Sequence, residues 1–339
     1  MWRIRGKYPL ANICSFMRTV RRQNFSCSLL RFLAIALIVN SHMGDLYLFP
    51  MLAVGGAIGN SIFFFASGYS LFLSNRDSFF RWEFRRITRI YPSLWLFMII
   101  TGTCFGLKWS FVDAIIPRYW FLTTILIFYP LFFFVLKYFE KFLFGIILVC
   151  IVAMVSNLYF FNDFTVSGVV KDTVNPTYLH YFIYFPVMLA GALYAKNRER
   201  LLKIPSLLLL GMIPMYFVAE VVFGKVFPSM QVVIPLFLLV LPTGFERLCA
   251  FVPENKIPAV FKSVIALGGS ITLDVYIVQK LIIKYFTVNP LPVHLTVPVA
   301  IAAITASACM LYFVSSKISN FLALRQRLWN GGKKRGQRE

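Results

Sequence analysis

The chain has 339 residues, 59% of them hydrophobic and 14% charged, with a mean hydropathy of +0.74 and a formal net charge of +21. That balance excludes an ordinary water-soluble domain, and the apolar stretches are too long and too little alternating for a β-barrel. Six scattered cysteines (Cys14, Cys27, Cys104, Cys150, Cys249 and Cys309) have no paired spacing, so neither a metal site nor a disulfide framework is expected.

Apolar runs lie at 29–49, 53–74, 90–107, 118–136, 142–161, 179–195, 205–223, 231–245, 263–286 and 296–316, each near the ~20 residues a bilayer crossing needs. They predict an all-α fold, a polytopic bundle of about ten transmembrane helices with both termini cytoplasmic. A basic N-terminal segment (1–28) and a basic tail (317–339) flank the membrane domain (29–316). The run at 231–245 carries Pro235 and Pro242, so it is kinked or shifted towards Phe251. With ten crossings that start inside, the outer connections keep only Lys108, Arg118, Lys171 and Lys225, while Arg31, Lys280 and Lys284 fall within runs. Every other one of the 34 Lys and Arg is then cytoplasmic, as the positive-inside rule demands. Anionic headgroups account for that charge, which argues against nucleic acid as a partner. The first run lacks a small-x-small cleavage pattern and reads as a retained anchor. No segment outside the runs is long enough to build a soluble core, so the chemistry is expected inside the bundle or at its mouths.

His42 is the one histidine within the runs, ~20 Å along the first helix at ~1.5 Å per residue. An ionisable group at that depth is a functional candidate, the alternative being a neutral ring bonded to a neighbouring helix. Arg31 precedes it by eleven residues, which brings both onto one helix face ~16 Å apart. Asp45, three residues on, is either an orienting partner for the imidazole or an interfacial carboxylate. Arg85, Arg86 and Arg89 converge on one surface if their segment is helical, with Pro92 placed to open the third helix. Such a cluster suits phosphate or anionic lipid equally. Asn60 and Ser67, seven residues apart on the second run, are oxyanion donors or small packing residues. Tyr119 and Trp120 read as an interfacial aromatic belt, and His180 and His294 as surface residues.

In order and spacing these elements resemble the acyltransferase-3 family of integral membrane acyltransferases. Leu30 to Val39 running into His42 resembles the family's first helix, and Gly59 to Gly68, GNSIFFFASG, its second. Arg85-Arg86-Ile87-Thr88-Arg89-Ile90-Tyr91-Pro92 is similar to its arginine-rich signature. Trp120-Phe121-Leu122 with Tyr129-Pro130, Phe185-Pro186 through Gly191, and Ser270 to Tyr276 resemble weaker features. The chain departs from the pattern at Gln279, where a histidine is usual, and at Ser61, where an acidic residue is common.

The resemblance implies a sugar O-acetyltransferase of the bacterial inner membrane. It would move an acyl group from cytoplasmic acyl-CoA, most commonly acetyl-CoA, to a glycan or lipid-linked sugar. His42 would serve as general base, and Arg31, Arg85, Arg86 and Arg89 would hold the donor's phosphates, with no bound cofactor or metal. The competing class is a transporter or flippase for a lipid-linked sugar, which buried charge and prolines also fit. Internal repeats would favour it, and the sequence shows none.

Overall fold

The computed structural model describes residues 10–74, 78–161, 176–201, 203–225, 233–252 and 254–335. Residues 1–9, Arg76, Lys171 and residues 336–339 lie outside the described residues, as do the side chains of Cys14 and His180. No strand occurs among the described residues. The helices are α1 (Leu10–His42), α2 (Gly56–Phe72), α3 (Phe79–Phe105), the short α4 (Phe111–Ile115), α5 (Trp120–Tyr138), α6 (Leu143–Phe161) and α7 (Pro176–Lys196). There follow α8 (Arg198–Leu201), α9 (Ser206–Lys225), α10 (Ile234–Phe251), α11 (Ala259–Ser270), α12 (Thr272–Val288) and α13 (Val293–Arg335).

Each apolar run falls on one of these helices, or, for 263–286, on α11 and α12, which meet at 75°. Among the described residues, four spans are long and apolar enough to cross a membrane unbroken: Phe25–His42, Pro50–Phe72, Trp120–Tyr138 and His294–Leu322. The bent pair makes a fifth. The outside of the bundle is apolar as well as its core, with Val149, Val152, Met310 and Phe313 all strongly exposed. A surface of that kind is stable against lipid and unstable against water.

The boundaries differ from the sequence expectation at three places, and a fourth takes one of the two alternatives left open. α1 stops at His42 and not near 49, because Asn40 Nδ2 donates to the Leu52 (2.8 Å) and Val54 (3.0 Å) carbonyls and folds the 43–55 connection back over the helix end. Gly55, at φ 95°, then supplies the left-handed residue that turns the chain into α2. α3 starts at Phe79, so Pro92 lies inside it and does not open it. α10 runs to Phe251, the shifted alternative. α13 passes 316 without a break, so the first part of the basic tail is helical.

Interior prolines remove a helical N–H and free the carbonyl four residues back. Two of these carbonyls are met from another helix: Ser319 Oγ of α13 donates to Thr88 O (2.6 Å), opposite Pro92, and Ser61 Oγ of α2 donates to Leu238 O, opposite Pro242. The central helix is α2, which packs against α1, α7 and α10. Its approach to α7 is set by two glycines: a Cβ at Gly68 would lie 1.8 Å from the Met188 carbonyl oxygen, and one at Gly191 2.1 Å from that of Phe65. Small residues of this kind let helix backbones touch in a membrane.

Polar contacts gather several connections at one end of the bundle. Lys196 pairs with Glu140 at 3.3 Å, and Arg198 with the buried Glu246 at 3.5 Å. Tyr194 donates its hydroxyl to the same Glu246 carboxylate. Arg247 donates to the Leu201 carbonyl and, at 3.4 Å, to that of Ile204, which satisfies the end of α8. Tyr69, next to Ser70 on α2, lies near both Arg198 and Glu246, so Ser70 and its partner Arg31 belong to this end.

Candidate active site

Between α1, α3, α12 and α13 lies a polar cavity of about 350 Å³. Arg31 and Arg89 line it, together with Ser93, Asp274, Ser315 and Ser319. Each has a reason to be there. Arg31 Nη2 donates to Ser70 Oγ (3.0 Å), and Ser70 in turn donates to Ala66 O (2.7 Å), so the guanidinium is steered by α2. Gly268 and Gly269, at the end of α11, pack on Phe32 and Ser28 of α1, which draws the α11–α12 break against the first helix. Asp274 follows in the first turn of α12, and Ser93 lies within hydrogen-bonding reach of it. The serines of α13 face inwards one turn apart, Ser319 donating to Ser315 O at 2.9 Å.

Neither Arg31 nor Arg89 forms a salt bridge among the described residues, although Asp274 is close enough to act on Arg89 electrostatically. Two guanidiniums left without a carboxylate partner in one enclosure form an anion site, and their planar N–H forks suit phosphate oxygens. Arg86 is engaged elsewhere. Its guanidinium lies 4.1 Å over the fully buried Trp82 ring, donates to Trp82 O (2.9 Å) and to Ser74 Oγ (3.1 Å), and so ties Ser74, just past the end of α2, to α3. Arg85 is exposed on another face of the helix and does not line the cavity. The structure therefore brings together Arg31 and Arg89 but sets Arg85 and Arg86 apart from them.

His42 closes α1, half-buried, eleven residues and ~16 Å beyond Arg31. Its Nδ1 sits 2.7 Å from the Ile38 carbonyl oxygen. A carbonyl only accepts, so in the neutral ring Nδ1 carries the hydrogen and Nε2 keeps the lone pair that a base uses. The backbone of α1 thus orients the ring. Asp45 is exposed in the 3-10 turn Gly44–Leu46, and no hydrogen bond joins it to His42 among the described residues. Lys280 of α12 is a charged neighbour of the ring.

Asn60 is half-buried with Tyr184 in hydrogen-bonding reach, and its Oδ1 has no partner. Ser67 is buried one residue before the Gly68 contact with α7. Gln279 is fully buried and neither amide atom is partnered. Tyr276, one turn before it, packs on Phe121 at 4.5 Å, and the half-buried Trp120, at the start of α5, stacks on Tyr184 at 5.9 Å. Asp274, Ser70 and the α13 serines were not singled out from the sequence. A carboxylate inside the apolar run 263–286 was a usable signal for the first. The serine stripe at 315, 316 and 319 sat at the very edge of the last run.

A family model described as an acyltransferase domain matches residues 25–314, which include both arginines of the cavity, Asp274 and His42. The chain belongs to the acyltransferase-3 family. It is a membrane acyltransferase. No curated protein and no solved structure matches it. Ser315 and Ser319 lie just past the matched stretch, so the lining of the polar cavity extends beyond it.

Proposed function

We propose that the protein transfers an acyl group, acetyl as the leading case, from cytoplasmic acyl-CoA to a hydroxyl of a surface glycan or lipid-linked sugar. In this reading the bundle crosses a bacterial inner membrane about ten times with both termini inside, and the cavity end faces the cytoplasm. The observation that carries it is a cavity in which Arg31 of α1 and Arg89 of α3 lack a carboxylate partner, with His42 and its free Nε2 further along the same helix as Arg31.

Arg31 and Arg89 bind the donor's phosphates. The pantetheine arm of an acyl-CoA separates those phosphates from the thioester, and a spacer of that kind spans the ~16 Å to His42. His42 Nε2 takes the proton of the attacking sugar hydroxyl as the new C–O bond forms at the thioester carbon. The tetrahedral oxyanion then collapses and expels the CoA thiolate, which leaves with a proton. Either Asn60 or Ser67 of α2 is the supporting polar group for that oxyanion, the two being ~10 Å apart along the helix.

The test is acetyl transfer by purified protein in proteoliposomes loaded with acetyl-CoA, read by mass spectrometry of the acceptor glycan. His42→Ala, at wild-type expression and melting temperature, is expected to lower turnover by about 10²–10⁴-fold, the range for general acid–base catalysis. Full activity of that variant removes the base assignment. Movement of an unmodified sugar across the membrane would replace the acyltransfer reading by transport.

A further inference from the structure

The end of α1 that carries His42 has cations of its own. Lys280 and Lys284 lie one turn apart on one face of α12, and both are exposed. Lys280 is close enough to the His42 ring to act on it electrostatically. Neither lysine has a carboxylate or hydrogen-bond partner among the described residues, and Asp45, in the turn that packs against α12, is ion-paired with neither. A lysine within an apolar run is costly unless its amine reaches water or an anion. Lys284 stands four residues, ~6 Å, from the end of α12, a distance that its four-carbon stem covers by snorkelling. Lys280 stands eight residues, ~12 Å, from that end, about twice the same reach. Anchoring of the helix end accounts for Lys284 and leaves Lys280 unexplained. The surface beside the pair is apolar. The connection from α1 to α2 packs on α12 through its first turn, Gly44–Leu46, and then exposes Leu48, Phe49, Met51 and Leu52. Side chains of that kind settle among acyl chains and not in water, so the mouth beside His42 opens at the level of the lipid.

We propose that Lys280 and Lys284 form a phosphate site for the acceptor. They hold the phosphate attached to the acceptor sugar, so that a hydroxyl of the same sugar meets His42 Nε2. The donor's phosphates rest on Arg31 and Arg89 at the other end of the same stretch of α1, and a cationic site then flanks the base on each side. The acceptor is a sugar phosphate, and the apolar lip next to the lysines assigns that phosphate to a lipid carrier. A neutral glycan dissolved in water offers the two amines nothing. This inference rests on the acyltransfer reading and narrows its acceptor.

The experiment titrates three probes, farnesyl phosphate, farnesol and glucose 1-phosphate, into the full chain in an uncharged detergent. CoA is present at saturation, so that the Arg31–Arg89 cavity is already occupied. Lys280→Gln combined with Lys284→Gln is expected to weaken farnesyl phosphate by about tenfold or more, the loss of charge-assisted contacts, and to leave farnesol and CoA affinities unchanged. Lys280→Gln alone should show most of that loss, and Lys280→Arg, which keeps the charge, should stay within about threefold of wild type. The single variants carry the test if the double variant folds poorly. Tighter binding of farnesyl phosphate than of glucose 1-phosphate by wild type identifies a lipid-borne acceptor, and the reverse order a soluble sugar phosphate. Phosphate probes that bind wild type no better than the glutamine variants, or farnesol that binds as tightly as its phosphate, overturn the proposal. The acyltransfer reading fails on a different result, CoA affinity that is indifferent to Arg31→Gln combined with Arg89→Gln. With CoA bound as expected and the phosphate probes indifferent to the lysines, this proposal falls alone.

Discussion

Ser319 on the last helix donates its hydroxyl to the carbonyl of Thr88, 2.6 Å away, the acceptor that Pro92 leaves without its helical N–H. The bond therefore repairs a break in α3 and locks α13 to it beside the cavity. Ser319→Ala leaves that carbonyl unsatisfied and is expected to cost about 1–3 kcal/mol. Pro92→Ala restores a donor within the helix, so the double variant should recover most of the loss. A thermal-melt double-mutant cycle reads this, and simple additivity would show that the serine is not compensating the proline.

Gly68 and Gly191 set the α2–α7 distance from both sides of one crossing. A Cβ at either would meet backbone, which cannot step aside as a side chain can. Gly68→Ala and Gly191→Ala are each expected to lower the melting temperature of the purified protein more than Gly145→Ala, whose Cβ would meet nothing within 4 Å. Equal effects at the three sites would mean that helix propensity, not contact, governs them.

Helices were legible because lipid imposes length and hydropathy on every crossing. What was less legible were the boundaries that polar side chains set. Asn40 ends α1 by binding carbonyls at Leu52 and Val54, and nothing in local composition announces a partner twelve residues away. The arginine segment gave the helix and the face count, but helical spacing does not say that a buried Trp82 will claim Arg86. His42 and Arg31 stood out because ionisable groups are rare in such runs. Ser319 did not, and Ser61 stood out only as a departure from the family pattern, since a serine that mends a distant proline looks in sequence like any small residue.

The connection between α3 and α5 carries its own electrostatic clasp. Asp113 accepts from Arg118 Nε (2.6 Å), from Ser110 Oγ (2.6 Å) and from the Ser110 N–H (2.7 Å). The Arg118 bond first, then those from Ser110, hold its carboxyl well below the usual carboxylate range. A group depressed on folding stabilises above its unfolded pKa, about 3.9 for Asp, and that contribution fades as the pH falls through the folded value. Wild type is therefore expected to melt above Asp113→Asn by a constant margin from neutral pH down to about 4, with the margin closing in stronger acid. A margin that shrinks between pH 7 and 5 would contradict the assignment.

Arg86 and Arg89 are three residues apart, yet they make different demands on a substitution. Arg86 stacks on Trp82 and holds Ser74 and the Trp82 carbonyl, and a lysine cannot reproduce a stacked, forked guanidinium. Arg86→Lys is expected to lower stability by about 1–2 kcal/mol, the scale of one cation–π contact and a hydrogen bond, with CoA affinity within about twofold of wild type. Arg89 opens on the cavity and stands near the like charge of Arg31, so its removal relieves repulsion in the empty protein. Arg89→Gln should leave melting unchanged or raised while weakening CoA by about tenfold or more, the loss of a charge-assisted phosphate contact. Melting curves and calorimetric titrations of the two variants, run in parallel, check both halves. If Arg86→Lys loses CoA and Arg89→Gln does not, the phosphate site lies outside this cavity, on the exposed side of α3.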